Sequence, residues 1–256
     1  MPLLRINGLT HYFGGLRAVY DYHLDLEGGE LRGLIGPNGA GKTTIFNLIC
    51  GLYRPTEGEI AFDGGSLIGL LPHDITSQGI GRTFQNLRLF NDLTVLDNVK
   101  IAQYSRIRYG LADTFLRTGR YWEGEGEIEE RAYRLLEILG IERYADQLAR
   151  NLPYGDQRRV EMARALAIEP KLLLLDEPTA GMSPAEMVEM MDLIQRVRGE
   201  FKLTILLIEH RMRVVMGICE RIQAIDFGEV IAEGTPEEIR SDRRVIEAYL
   251  GEEVEA

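Results

Sequence analysis

The stretch that decides the fold is Gly36-Pro37-Asn38-Gly39-Ala40-Gly41-Lys42-Thr43-Thr44. It matches the phosphate-binding pattern G-x-x-x-x-G-K-[ST], in which glycines let backbone N–H groups approach an anion closely. An apolar run over residues 31–35 precedes it and predicts a strand. We therefore expect a nucleotide-binding loop in which Lys42 reaches the β- and γ-phosphates and the Thr43 hydroxyl binds Mg²⁺.

The residues after the loop have the spacing of a helix. Apolar side chains recur at i, i+3, i+4 and i+7, which places them on one helical face. The predicted face consists of Ile45, Leu48, Ile49 and Leu52. A helix that starts at the loop would direct its positive end at the same anion.

A second stretch supplies the carboxylate that such a loop needs. Leucines over residues 172–175 predict a buried strand, and Asp176 and Glu177 follow it directly. Because ligands bind at the carboxyl ends of parallel strands, we expect Asp176 to hold Mg²⁺ near the loop. Glu177 is the candidate general base for an attacking water. A further buried strand over 203–208 ends at Glu209 and His210.

The arrangement of these patterns predicts an α/β fold. Buried strands alternate with helices in the first and last thirds of the chain, which is typical of a mostly parallel sheet covered on both faces. Residues 19–26 alternate apolar and polar, which predicts an antiparallel β layer. We expect an α/β core formed by residues 1–85 and 169–256, with a helical subdomain inserted over 86–168.

The composition limits the classes of function. The chain has 256 residues and a net charge of −11, so a broad basic face for nucleic acid is not indicated. The two cysteines are far apart in apolar surroundings, which predicts buried reduced thiols. The apolar runs are too short to span a bilayer, and we expect no signal peptide. We therefore expect no nucleic-acid partner and a membrane contact only from the side.

The segment over residues 105–127 has no clear period. It places arginines among aromatic side chains and then becomes acidic. Such a mixture can bind nucleic acid, but a surface insertion with a solvated face agrees better with the total charge. The arginines are Arg106, Arg108, Arg117 and Arg120.

Taken in order, these stretches resemble the ATP-binding subunits of ABC transporters, and the resemblance covers essentially the whole chain. It implies a P-loop NTPase (RecA-like) core with an antiparallel β layer and an inserted α-helical subdomain. Residues 36–43 resemble the Walker A loop, and Asp176 with Glu177 resembles Walker B and the catalytic glutamate. ATP and Mg²⁺ are the implied cofactors.

The resemblance also assigns three further residues. Gln85 is similar to the Q-loop glutamine, which would join Thr43 and Asp176 at the metal and act beside Glu177 in catalysis. His210 is similar to the switch histidine, a further catalytic residue. Phe13 lies where the family stacks an aromatic ring on adenine, although a core position is the alternative.

The family's diagnostic Leu-Ser-Gly-Gly-Gln segment is altered here. Its counterpart is Leu152-Pro153-Tyr154-Gly155-Asp156. In the family this segment closes over the ATP held by a second ATPase subunit. Pro153 has neither a hydroxyl nor an N–H, so we expect Tyr154, Gly155 and the start of the following helix to make the contact.

A narrower resemblance is to the LivG-type subunits of branched-chain amino-acid importers. It rests on residues 82–90, the Tyr-Gly pair, 208–210 and 248–252. It implies a homo- or heterodimer of ATPase subunits, membrane permease partners, a periplasmic solute-binding protein acting indirectly, and a cytoplasmic location at the inner face of the membrane. Leu87, Leu89 and Phe90 form a candidate permease patch or, alternatively, part of the subdomain core.

Three other interpretations stay open at this stage. Importers of urea or short amides look similar to the LivG type. A non-transport ABC ATPase acting on nucleic acid or ribosomes would usually carry two ATPase halves or long coiled coils, which this chain lacks. A small-molecule kinase can use the same loop but would need an acceptor pocket.

Overall fold

The chain folds into two compact units in a computed structural model, which describes residues 1–104 and 109–254 and the side chains up to Tyr249. One unit combines Met1–Ile80 with Lys171–Ala256, and the other is Gly81–Pro170. The chain passes between them within a short strand, a few residues before the boundary expected from the sequence. Arg106 and Arg108 lie outside the described residues. Among the residues that are described, no helix is both long and apolar enough to cross a bilayer.

The first unit contains a six-stranded, mostly parallel sheet in the order β10-β9-β3-β8-β7-β6. Strands β3, β7, β8 and β9 run parallel, and β10 pairs antiparallel with β9. This arrangement agrees with the buried runs in the sequence. The strands are β3 (Leu31–Ile35), β6 (Ile80–Arg82), β7 (Leu172–Asp176), β8 (Thr204–Ile208), β9 (Arg221–Asp226) and β10 (Glu229–Gly234).

An antiparallel layer of four strands, in the order β2-β1-β4-β5, completes the β structure of this unit. Every second side chain of β2 is buried toward its end, as the alternation of apolar and polar residues predicts. The predicted antiparallel layer is therefore confirmed. Its strands are β1 (Leu4–Phe13), β2 (Leu16–Leu26), β4 (Glu57–Phe62) and β5 (Gly65–Ser66).

Six helices lie in the part of the first unit that the structure describes. They are α1 (Lys42–Ile49), α2 (Pro72–Ser77), α7 (Pro184–Phe201), α8 (Met212–Ile218), α9 (Pro236–Ser241) and α10 (Arg243–Val254). One core cluster joins β1 and β2 to α1 and to the central strands, and it includes Phe46, Leu174 and Leu206, all fully buried. Burial on both faces explains why β7 and β8 are continuously apolar.

The described part of the second unit is helical. Its helices are α3 (Val95–Gln103), α4 (Leu111–Leu116), α5 (Gly119–Ile138) and α6 (Tyr154–Leu166). The side chain of Thr94 accepts a hydrogen bond from the N–H of Asp97 and caps α3. Ile128, Ala132, Leu135 and Leu136 form the buried face of α5.

Two features differ from the expectation. Helix α5 begins at Gly119, inside the stretch in which the sequence shows no clear period, because its first turns are largely exposed. Leu52 does not extend the α1 face: it is 47% exposed and follows Gly51, whose φ of 69° lies in the left-handed region where helices end. Helix α6 begins at Tyr154, directly after Pro153.

Leu206 offers a test of the core. Its side chain is fully buried in β8, between two parallel neighbours. We expect Leu206→Ala to lower the free energy of unfolding by about 2–5 kcal/mol, since it removes apolar contact and leaves a cavity. The exposed control Leu16→Ala should change it by no more than about 0.5 kcal/mol. Urea denaturation would measure both, and equal transition midpoints would contradict the assigned core.

Candidate active site

The candidate site lies at the carboxyl edge of three adjacent parallel strands. Leu34 of β3 pairs with Ile208 of β8, and Ile208 pairs with Asp176 of β7. Because neighbouring strands lie about 4.8 Å apart, these three strands deliver their following residues to one short stretch of the sheet edge. The loop after β3 therefore meets the acidic residues after β7 and His210 after β8.

The loop backbone lies so close to neighbouring backbone that no side chain would fit at two of its glycines. A Cβ on Gly36 would lie 2.1 Å from the carbonyl oxygen of Ile225, and one on Gly41 would lie 2.5 Å from that of Ala18. Both residues also have a positive φ, 153° and 104° respectively. The β9–β10 turn also holds the loop in place, because the N–H of Gly228 donates a hydrogen bond to the carbonyl of Ala40 at 3.0 Å.

Lys42 places a buried positive charge inside this loop. Its ammonium donates to the carbonyl oxygens of Gly36 and Pro37 at 2.6 and 2.7 Å. Lys42 is also the first residue of α1, and the first turn of that helix contains no acidic side chain. The first turn of α1 thus adds no negative side chain at the positive helix end, which suits the loop to a phosphate group.

Asp176 and Glu177 end β7 as the sequence predicts. Asp176 is buried, whereas Glu177 has a φ of 49°, which is uncommon for a residue other than glycine or asparagine. The N–H of Glu177 donates to the carbonyl of Ile208 at 2.9 Å, which holds this backbone in place. Its carboxylate Oε2 lies 3.6 Å from Nδ1 of His210, whose side chain is 46% exposed. The structure thus brings the two predicted catalytic side chains together.

Glu209 is a residue whose importance the sequence did not indicate. It is fully buried. Its Oε1 accepts hydrogen bonds from the backbone N–H and the hydroxyl of Thr179, and its Oε2 accepts from the N–H groups of His210 and Arg211 at 3.1 and 3.2 Å. One buried carboxylate therefore joins the turn after Glu177 to the loop that carries His210. The only sequence signal was an acidic residue at the end of a buried strand.

Phe13 lies on the surface of the antiparallel layer. Its ring is 43% exposed, so the alternative that it belongs to the core does not hold. It contacts His11 and Tyr53 edge-on, with ring centroids 4.6 and 5.2 Å away. An exposed ring that is held by two others provides a preformed face for stacking.

The possible metal ligands in the first unit are few, which suits Mg²⁺ better than a metal ion whose ligands all come from the protein. Thr43 is exposed at the start of α1, and Asp176 lies at the neighbouring strand end. No group of three or more His, Cys, Asp or Glu side chains with metal-binding geometry occurs among the described residues. Mg²⁺ usually keeps several waters and takes one or two carboxylates together with substrate phosphates, so a hydroxyl and one carboxylate fit that ion.

The second unit holds Gln85 and the residues 152–156. Arg158, buried on α6, connects them: its guanidinium donates to the carbonyl oxygens of Phe84 (2.6 Å) and Gln85 and to the Tyr154 hydroxyl (2.7 Å). Its charge is paired with Glu161 at 3.1 Å. Burial raises the pKa of the Glu161 carboxyl, and Arg158 opposes that change. No local pattern in the sequence indicates this link.

The altered segment is not a free loop. Pro153 precedes α6 with a φ of −54°, and Tyr154, Gly155 and Asp156 form the first turn of that helix. Leu152 is buried, while Pro153 and Tyr154 are exposed. Proline fixes φ near the value that the start of a helix needs. Pro153 therefore lacks an N–H but makes the segment more rigid.

Comparison with known proteins decides the family. The sequence profile described as "ABC transporter" matches residues 19–180. The chain belongs to the ABC transporter family. A second profile, described as "Branched-chain amino acid ATP-binding cassette transporter", matches residues 229–255. A similar relative is the high-affinity branched-chain amino acid transport ATP-binding protein LivG of Salmonella typhimurium, which is 47% identical over 251 residues and 98% of each chain.

Solved ABC structures share the fold. An ATP-binding cassette of an ABC transporter in its ADP conformation has a TM-score of 0.86 at 30% identity, over 98% of this chain and 99% of that one. A dimeric ATP-binding cassette in a post-hydrolysis state, bound to ADP and Pi, has a TM-score of 0.77 at 29% identity, over 91% and 98%. The chain is therefore a nucleotide-binding ABC ATPase, and the predicted fold class is confirmed.

The Glu209 network can be tested by an isosteric change. In Glu209→Gln an NH₂ group replaces one carboxylate oxygen and faces two donors instead of accepting from them. We expect the free energy of unfolding to fall by about 1–3 kcal/mol and ATP turnover to fall with it, because buried donors lose their acceptor. Chemical denaturation and a phosphate-release assay would measure the two effects.

The exposed residue Glu200 on α7 supplies the matched control, and Glu200→Gln should leave both quantities unchanged. If Glu209→Gln also matched the wild type in stability and turnover, the hydrogen bonds of Glu209 would contribute neither to folding nor to catalysis.

Proposed function

We propose that this chain is the ATP-hydrolysing subunit of an importer for branched-chain amino acids. The observation that carries this proposal is the 47% identity to LivG over 98% of both chains, which leaves no segment of substantial length unmatched. The profile match over residues 229–255 supports it, because its description names the same solute class.

In this proposal the loop 36–44 holds the phosphates of ATP. Lys42 exchanges its contacts with the carbonyls of Gly36 and Pro37 for the β- and γ-phosphates, while the N–H groups at the start of α1 face the same anion. Phe13 stacks on the adenine. Thr43 and Asp176, both in the first unit, would hold Mg²⁺, which would supply positive charge beside the phosphates.

Hydrolysis is assigned to the pair Glu177 and His210. Glu177 accepts the proton of the attacking water, and its backbone hydrogen bond to Ile208 holds the main chain from which its carboxylate extends. His210 stabilises the charge that develops on the γ-phosphate. The Glu209 carboxylate accepts hydrogen bonds from the N–H of Thr179, two residues after Glu177, and from the N–H of His210. These bonds restrain the backbone near both catalytic residues, so little rearrangement is needed during the reaction.

We further propose that two ATPase subunits, identical or different, enclose two ATP molecules. The dimeric cassette with ADP and Pi shows that a protein of this fold can form such a pair. Residues 152–156 of one subunit would close over the ATP of the other, with Tyr154 and Gly155 at the start of α6 replacing the missing serine. The negative phosphates would then face the positive end of that helix.

A membrane permease is the proposed partner, with a solute-binding protein acting on its other side. Leu87 and Leu89 are half-buried, and Phe90 is 47% exposed, so this segment offers apolar surface close to Gln85 in the sequence. The guanidinium of Arg164 lies over the Phe90 ring at 4.9 Å, and its N–H donates to the carbonyl of Arg88. We therefore place the chain at the inner face of the cell membrane, docked through this segment.

The proposed solute class is tested in the source organism after deletion of the gene. Uptake of radiolabelled leucine should fall to the background level and should return when the wild-type chain is supplied. Lys42→Ala should fail to restore it, because its loop lacks the charge that meets the phosphates. Leu16→Ala serves as the control that leaves the site intact and should restore uptake fully.

Uptake of radiolabelled urea and acetamide is measured in the same cells. Unchanged values for both would support the amino-acid assignment. If urea or acetamide uptake depended on the chain and leucine uptake did not, the importer would belong to the related solute class.

Glu177→Gln tests the assigned general base. The amide has nearly the shape of the carboxylate but is a poor proton acceptor, so we expect hydrolysis to slow by about 10²-fold or more while MgATP stays bound. The trapped nucleotide should raise the dimer fraction, which light scattering would detect. Wild-type turnover in this variant, with Glu200→Gln as the control, would remove Glu177 from the mechanism.

A further inference from the structure

The C-terminal helix α10 reaches the nucleotide loop through a tyrosine. The hydroxyl oxygen of Tyr249 accepts a hydrogen bond from the backbone N–H of Gly36 at 2.9 Å, although the two residues are 213 positions apart in the sequence. Tyr249 is half-buried. Helices α9 and α10 both pack against β10, which brings the end of the chain back to the loop.

The backbone of Gly36 is held on both sides of its Cα. Its N–H donates to Tyr249, and its carbonyl oxygen accepts from the Lys42 ammonium at 2.6 Å. Gly36 is buried, and a Cβ there would lie 2.1 Å from the carbonyl of Ile225, so its backbone cannot shift far without a clash. A buried N–H that lacks a partner is costly, so the acceptor on Tyr249 matters more here than it would at a surface.

We propose that Tyr249 is a positioning residue for ATP binding: its hydroxyl fixes the first peptide of the nucleotide loop, so that α10 forms part of the nucleotide site. This inference rests on the proposed role of the loop as the phosphate cradle. When Lys42 turns from the Gly36 carbonyl to a phosphate, one of the two hydrogen bonds that restrain the Gly36 backbone is released. The bond from Tyr249 is the restraint that keeps the loop in its binding conformation.

Two consequences follow from this arrangement. Loss of the hydroxyl weakens nucleotide binding by an amount typical of one neutral hydrogen bond, about three- to tenfold. The turnover number changes little, because Glu177 and His210 are held by other bonds, to Ile208 and Glu209. By linkage, a bound nucleotide in turn stabilises the docking of α10.

Tyr249→Phe is the decisive variant, since it keeps the ring and removes only the hydroxyl. We expect the Kd for a fluorescent ATP analogue and the KM for ATP to rise about three- to tenfold, with kcat within about twofold of the wild type. Tyr22→Phe is the matched control: Tyr22 is fully buried in the same unit, and its hydroxyl has no hydrogen-bond partner among the described residues. That variant should bind the analogue as the wild type does.

A wild-type Kd for Tyr249→Phe would overturn the inference. If only Tyr249→Ala then bound the analogue more weakly, the tyrosine would act through the packing of its ring and not through its hydroxyl. Lys42→Ala separates this failure from failure of the loop assignment. If Lys42→Ala loses binding and Tyr249→Phe does not, only the role of Tyr249 is wrong. If Lys42→Ala binds normally, the phosphate cradle itself is wrong.

Hydrogen exchange on the wild-type chain gives a second test that needs no variant. Saturating ADP should slow amide exchange in the α10 peptide that contains Tyr249, because nucleotide and helix docking stabilise each other. Exchange in that peptide that is equal with and without ADP would contradict the proposed coupling.

Discussion

The register of three parallel strands is the constraint on which the active site depends. Leu34, Ile208 and Asp176 lie side by side in β3, β8 and β7, so a shift of one residue in either pairing would separate the loop from its carboxylates. All the side chains of these strands are buried. Because both faces of these strands are packed, a slip would misplace every side chain in the core, so core packing holds the register and the register in turn holds the site.

Buried polar groups then refine what the strands bring together. Lys42, Glu209 and Arg158 are each charged and buried, and each has several hydrogen-bond partners in the backbone. A buried charge is costly unless it is paired or hydrogen-bonded, so each of these side chains favours one arrangement of the loops it contacts. For an ATPase this matters because oriented donors and acceptors that are already in place lower the cost of reorganisation during the reaction.

The residues assigned to ATP binding and hydrolysis are divided between the two units. The first holds the nucleotide loop, Asp176, Glu177 and His210, and the second holds Gln85 with the altered segment. Within the second unit, Arg158 binds the carbonyl of Gln85 and the hydroxyl of Tyr154, so Gln85 and the proposed partner-facing segment are parts of one hydrogen-bonded assembly. Pro153 fits this arrangement, since a fixed φ suits a segment that has to present a helix start in one orientation.

The sequence by itself determined the features that depend on local pattern. The loop glycines, the apolar runs of β7 and β8, the alternation in β2 and the Thr94 cap each follow from the conformations that a few consecutive residues allow, and the motif order identified the family. The start of α5 was missed because exposed turns carry no apolar period. Only the tertiary structure decided the partners of the buried polar side chains. Glu209 binds a residue 30 positions away, Arg158 one 73 away and Tyr249 one 213 away. No short pattern encodes such pairs, because a buried donor or acceptor takes whichever partner the completed fold places beside it.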